Sequence, residues 1–158
     1  MAPHIIIVED DHLQEGPLEE YLNSSLPGAT VTTLCTEEEF RQRLPQMRDA
    51  APDLVMMDVM LRWTFPSPGA PAPPDDVATG GYYRAGLRCA ALLLADERLR
   101  KVPVVLYTIL ERSDLERDGK VLPSNSHYVG KSSDMDVLIR KIKLLLGVRS
   151  GSATPKYR

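Results

Sequence analysis

The sequence has little of what builds cross-links, metal cages or membrane spans. It holds only two cysteines, Cys35 and Cys89, far apart and without C-x-x-C spacing, so a disulfide framework and a thiolate metal site are both disfavoured. Both cysteines read as small buried hydrophobes. The three histidines, His4, His12 and His127, form no zinc pattern. No apolar run approaches the roughly 18 residues that span a bilayer. There is no excess of basic charge: the net charge of −3 supplies neither a field for nucleic acid nor a polybasic membrane patch. No charged region precedes a cleavable apolar stretch at the start, so a cytoplasmic protein is expected.

What is present fits one soluble globular domain: 158 residues, 43% hydrophobic and 26% charged. Ile5-Ile6-Ile7-Val8 is a short β-branched run, the mark of a strand buried on both faces of a parallel sheet. Glu9, Asp10 and Asp11 follow at once. A helical pattern carries Leu13, Leu18, Tyr21 and Leu22, and Gly16-Pro17 predicts that this helix is kinked or starts late. Residues 29–34 read as a second strand. Thr36 and Glu39 form a capping box opening a helix expected to weaken at Pro45. Leu54 to Met57 is a third buried strand that ends at Asp58.

Residues 62–79 hold Pro66, Pro68, Pro71, Pro73 and Pro74 and no periodic pattern, which predicts a long loop. Helix is expected again from about Tyr82 to Asp96. Val104 to Tyr107 is a fourth strand ending at Thr108. A weak helical segment is expected near 113–120, and a short strand over 126–129. Ser133 or Asp134 caps a last amphipathic helix, which Gly147 stops. Residues 148–158 read as a disordered tail after a domain of 1–147.

Strands alternating with helices predict an α/β doubly wound fold, in which function sits at the carboxyl ends of parallel strands. Those ends carry Glu9 and Asp10, then Asp58, then Thr108, then Lys131. Carboxylates crowded at lowered dielectric raise their pKa values or recruit a cation. Oxygen donors without a nearby imidazole or thiolate favour magnesium, which accepts two carboxylates, a carbonyl and a phosphoryl oxygen together. An exposed carboxylate beside such an ion suggests aspartyl-phosphate chemistry, with a lysine and a hydroxyl to stabilise the phosphoryl oxygens. Each signal has a plainer explanation by itself. An acidic pair suits a helix N-terminus, a threonine can be an N-cap, and a lysine can be a solvated side chain. Their ordered appearance at successive strand ends is what these explanations do not cover.

The stretches 5–11, 52–61, 102–108 and 127–131, in this order, resemble the receiver domains of two-component response regulators, the CheY-like family. The resemblance spans about residues 4–146 apart from the proline-rich segment. It implies a five-stranded parallel sheet of order 2-1-3-4-5, with helices on both faces. It further implies that Asp58 is the phosphoacceptor and that magnesium is held by Asp10, Asp58 and the backbone carbonyl of Met60, with Glu9 assisting. Thr108 is then the switch hydroxyl, Lys131 the lysine that pairs with the phosphoryl group, and Tyr128 the aromatic switch. The implied function is signalling and not metabolic catalysis: phosphoryl transfer from a sensor histidine kinase or histidine phosphotransfer protein reshapes a surface for a downstream protein target. A homodimer is compatible with this, and neither nucleic acid nor membrane is an expected partner. The alternative is a receiver-like interaction module that works without phosphate.

The chain departs from the family pattern in four places. The loop after Asp58 is longer by roughly 20 residues. Ser132 stands where proline, in a cis bond, usually follows the lysine; a cis bond before a non-proline residue costs about 2.5–4 kcal/mol, so a trans bond or a strained exception is expected. Ile109, Leu110 and Met60 are apolar where they can obstruct an attacking water, which predicts slow self-dephosphorylation. Pro123 and residues 124–126 predict a short or irregular helix before the last strand. Two other chemistries fit worse. A haloacid-dehalogenase-type phosphatase needs D-x-D, which Asp58-Val59-Met60 lacks, and acidic residues after the first strand would repel a flavin phosphate.

Overall fold

A computed structural model describes residues 2–147; the side chains of 12–15 and 118 lie outside that description, as does the tail 148–158. Five strands form one parallel sheet: β1 (His4–Val8), β2 (Thr30–Leu34), β3 (Leu54–Met57), β4 (Val104–Thr108) and β5 (Ser126–Gly130), ordered β2-β1-β3-β4-β5. The expected topology is the observed one. Ile5 pairs with Leu54 and Val8 with Met57, and Thr108 pairs with Gly130. The chain winds outward from β1 in both directions, so a crevice opens between the carboxyl ends of β1 and β3.

Alternation along the strands splits the apolar residues between two cores. Ile5 and Ile7 face α1 (His12–Ser25) and α6 (Met135–Leu146), joining Leu18, Leu22, Leu138 and Ile142. Ile6 and Val8 face α2 (Glu37–Asp49) and α4 (Ala85–Ala95), joining Phe40, Met47, Cys89 and Leu93. Helices on both sides explain why the strands carry continuous hydrophobic runs. Cys89 is a buried hydrophobe, as expected; Cys35 is only half-buried. No described helix is long and apolar enough to cross a membrane.

The prolines act differently from expectation. α1 begins at His12 and runs through Pro17, so it does not start late. α2 continues past Pro45 to Asp49, held by Phe40 and Met47 in the core. Thr36 caps α2, accepting from the Glu39 N–H at 3.1 Å. Glu39 reaches back to the N–H of Cys35 at 3.0 Å, one residue beyond the capping-box position.

The proline-rich segment is not loop throughout. It contains α3 (Asp75–Gly80), with Asp75 and Asp76 at its positive end, Val77 buried, and Gly81 leaving it at φ 71°. A 3-10 turn over Tyr82–Arg84 precedes α4, so the regular helix starts three residues later than the pattern indicated. As expected, the helix before β5 is short: α5 (Arg112–Leu115) and a 3-10 turn over Arg117–Gly119. Asp134 occupies the N-cap of α6 without a side-chain cap bond, and Gly147 ends it in the left-handed conformation.

Candidate functional site

Ladder geometry sets the site. The Asp58 N–H donates to the Val8 carbonyl at 3.0 Å, which fixes Asp58 beside Glu9 as β1 and β3 end. The Lys131 N–H donates to the Thr108 carbonyl at 2.8 Å, bringing the lysine back over the sheet from β5. A cleft of about 570 Å³ results, lined by Glu9, Asp10, Asp11, Asp58, Met60, Arg62, Tyr82, Tyr83, Ile109 and Lys131.

Lys131 is its electrostatic centre. Its Nζ donates to Glu9 Oε2 and to Asp58 Oδ2, each at 2.8 Å, and lies 5.6 Å from the centre of the Tyr107 ring. Glu9 and Asp58 are buried, at 3% and 6% exposure, a position carboxylates tolerate only when paired. Burial pushes the Glu9 carboxyl upward, Lys131 offsets part of this, and the Asp58 charge adds to it. Burial disfavours the Lys131 charge, but its bonds to Asp58 and Glu9 outweigh that and hold its pKa above the usual lysine value. The second Asp58 oxygen accepts from the Met60 N–H at 3.1 Å.

Asp10 stands nearer the opening and has a different cation. One of its oxygens, Oδ2, accepts from the Arg62 N–H at 3.2 Å and from Arg62 Nε at 3.3 Å. Sequence reasoning missed Arg62 because it opens a proline-rich stretch without periodicity. It missed Gly86 as well. A methyl group on Gly86 would run into the Asp58 carbonyl and lie 2.7 Å from Val59 Cα, while its N–H donates to the Val59 carbonyl at 2.9 Å. Only glycine lets α4 approach the backbone that carries Asp58.

Thr108 and Tyr128 are not in the cleft wall. Thr108 is fully buried and its hydroxyl accepts from the Leu110 N–H at 3.2 Å. The Tyr128 hydroxyl donates to the carbonyl of the same Leu110 at 2.6 Å, and its ring packs on the α2–α4 core. Both proposed switch residues thus hold opposite ends of one residue's backbone. The Lys131–Ser132 bond is trans, as is every other peptide bond among the described residues.

The donors fit magnesium by type: the Asp10 and Asp58 carboxylates and the Met60 carbonyl are hard oxygens. Among the described residues, no three His, Cys, Asp or Glu side chains stand close enough to cage an ion alone.

Solved structures show the same architecture. A receiver domain of a Pseudomonas aeruginosa sensor histidine kinase, with magnesium coordinated in its active-site cleft, matches with TM-score 0.62 and 20% identity over 93% of this chain and 99% of that one. A receiver domain of a signal-transduction histidine kinase from Syntrophus aciditrophicus matches with TM-score 0.64 and 22% identity, covering 99% and 96%. The phosphorylated cyanobacterial phytochrome response regulator RcpA matches with TM-score 0.62 and 22% identity, covering 94% and 91%. No protein-family model and no curated sequence matches the chain. The fold is that of CheY-like response-regulator receiver domains.

Proposed function

We propose that the chain is a phosphoacceptor signalling domain, taking a phosphoryl group on Asp58 from a histidine kinase or phosphotransfer protein. The observation that carries this is the contact of Lys131 with both Glu9 and Asp58 at the mouth of the sheet's crevice. An Asp58 oxygen attacks phosphorus while the bond from phosphorus to the donor's leaving atom breaks, and the leaving atom departs with that electron pair. Lys131, kept protonated by its partners, transfers its hydrogen bonds from the carboxylates to the phosphoryl oxygens. Asp10, Asp58 and the Met60 carbonyl would hold magnesium, which supplies charge compensation on those oxygens when bound. Thr108 gives up the Leu110 N–H to donate to the phosphoryl group. Leu110 then moves, and the hydrogen bond from Tyr128 is re-formed or lost with it. The surface carrying α5, β5 and α6 changes shape for a protein target.

Mass spectrometry after incubation with acetyl phosphate and magnesium tests this reading. The wild-type chain should gain one phosphoryl group, and Asp58→Ala should gain none. A chain that stays unmodified at saturating donor, while remaining folded, would favour an interaction module that works without phosphate. The pairing of Glu9 and Asp58 with Lys131, and of Asp10 with Arg62, in the unmodified cleft is compatible with that second reading.

A further inference from the structure

Three of the cleft carboxylates, Glu9, Asp10 and Asp58, already have a protein cation. Lys131 serves Glu9 and Asp58, and Arg62 serves Asp10 with two donors on one oxygen. Arg62 is also the root of the insertion. Its carbonyl accepts from the Glu37 N–H at 3.0 Å, and the next carbonyl, of Trp63, accepts from the Glu38 N–H at 3.0 Å. The first turn of α2 thereby fixes the backbone of the loop, while the guanidinium rests 5.1 Å from the centre of the Phe65 ring. The side chain is about half exposed, so it can leave Asp10 without unfolding anything.

We propose that Arg62 is a built-in competitor for the divalent-cation site: it occupies Asp10 until a cation displaces its side chain, so cation binding is coupled to the start of the insertion at residues 62–65. This rests on the reading of the cleft as a magnesium-dependent phosphoacceptor site and adds its regulation. Magnesium and the Arg62 guanidinium compete for the same Asp10 carboxylate, so displacement weakens the ion's affinity. An arginine freed from Asp10 also loses its seat over Phe65. Linkage makes the coupling reciprocal: a partner that pins the insertion with Arg62 on Asp10 weakens cation binding, and one that pulls the loop away strengthens it.

Magnesium chloride titration of the full chain at constant ionic strength, read by calorimetry and by the Trp63 indole resonance, tests the proposal. Trp63 is the only tryptophan, and its indole N–H is buried without a partner, so it reports on its surroundings. Arg62→Ala should bind magnesium about two- to fivefold more tightly, the range set by an exposed ion pair. Phe65→Ala, which keeps every ligand and the Arg62 charge, should tighten binding in the same direction by less. The indole should shift on saturation of the wild type and shift less in Arg62→Ala. Equal or weaker binding by Arg62→Ala overturns the proposal. If that happens while Asp10→Asn abolishes binding, the phosphoacceptor reading stands and only the competition fails. If no variant binds magnesium in an Asp10-dependent way, both readings fall.

Discussion

Lys131 sits between two buried carboxylates, and its removal leaves both uncompensated. Lys131→Met should destabilise the chain by about 3–5 kcal/mol near neutral pH, measured by urea unfolding. The sign of the pH dependence follows from Glu9. Its folded-state pKa is already raised, so the stability it contributes is present at low pH and is lost as pH rises through that value. Without Lys131, which lowers it, the Glu9 pKa rises further, and the penalty should shrink as pH falls from neutral through the raised Glu9 titration. A penalty that grew on acidification would contradict the pairing. Ile109 lines the cleft and is 66% exposed, and on the proposed phosphoacceptor reading it is expected to obstruct an attacking water. A phosphoryl half-life of only seconds would refute that role, and Ile109→Ala should shorten it. Glu9, Asp10, Asp58 and Lys131 were legible in sequence because each lies within two residues of a strand's carboxyl end. Arg62 was not, since its role depends on a chain reversal that local pattern does not encode. Thr108 was read from its place at a strand end and Tyr128 by resemblance, but their common link, the backbone of Leu110, has no sequence signal at all.

The insertion is tied down by a charged network that the sequence did not announce. Glu37, fully buried, pairs with Arg88 through two bonds of 2.6 and 3.0 Å and with Arg41 at 3.0 Å. Arg41 continues to Asp76 in α3 at 2.7 Å, and Arg88 Nη1 donates to the Gly81 carbonyl at 2.8 Å. Arg88→Met should cost about 3 kcal/mol by leaving Glu37 under-compensated. It should also raise amide exchange across residues 75–84, whereas an insertion packed independently of α4 would show no such increase. Gly86→Ala forces α4 away from Asp58 and should destabilise by about 1–3 kcal/mol, the usual range for overpacking. It should also slow phosphoryl uptake, because the backbone it displaces carries the acceptor. The prolines did not end their helices, for a common reason. Pro17 and Pro45 each remove one helical hydrogen bond, but Leu18 and Leu22 after Pro17, and Phe40 and Met47 on either side of Pro45, are buried, and tertiary packing overrides the local cost. In the insertion, low periodicity concealed α3 because a helix of six residues is too short to show a repeat.

The parallel, doubly wound character of the sheet was readable because its causes are simple, while the strand order came from the family resemblance. Apolar strands alternating with helices require cover on both faces, right-handed crossovers restrict the winding, and the acidic and basic residues of the site lie at the carboxyl ends of the strands. The attachment of the proline-rich segment to α2 was not readable, because Arg41 and Asp76 lie 35 positions apart, and the Glu37–Arg88 pair that joins α2 to α4 spans 51. The account therefore depends on a single pocket formed from distant segments and coupled to a half-buried tyrosine. Amide NMR during titration with beryllofluoride and magnesium tests this most directly. Shifts should gather at Glu9, Asp10, Asp58, Met60, Thr108 and Lys131, extend through Leu110 to Tyr128, and vanish in Asp58→Ala. Equal shifts without magnesium, shifts centred on another surface, or a response that survives in Asp58→Ala would contradict it.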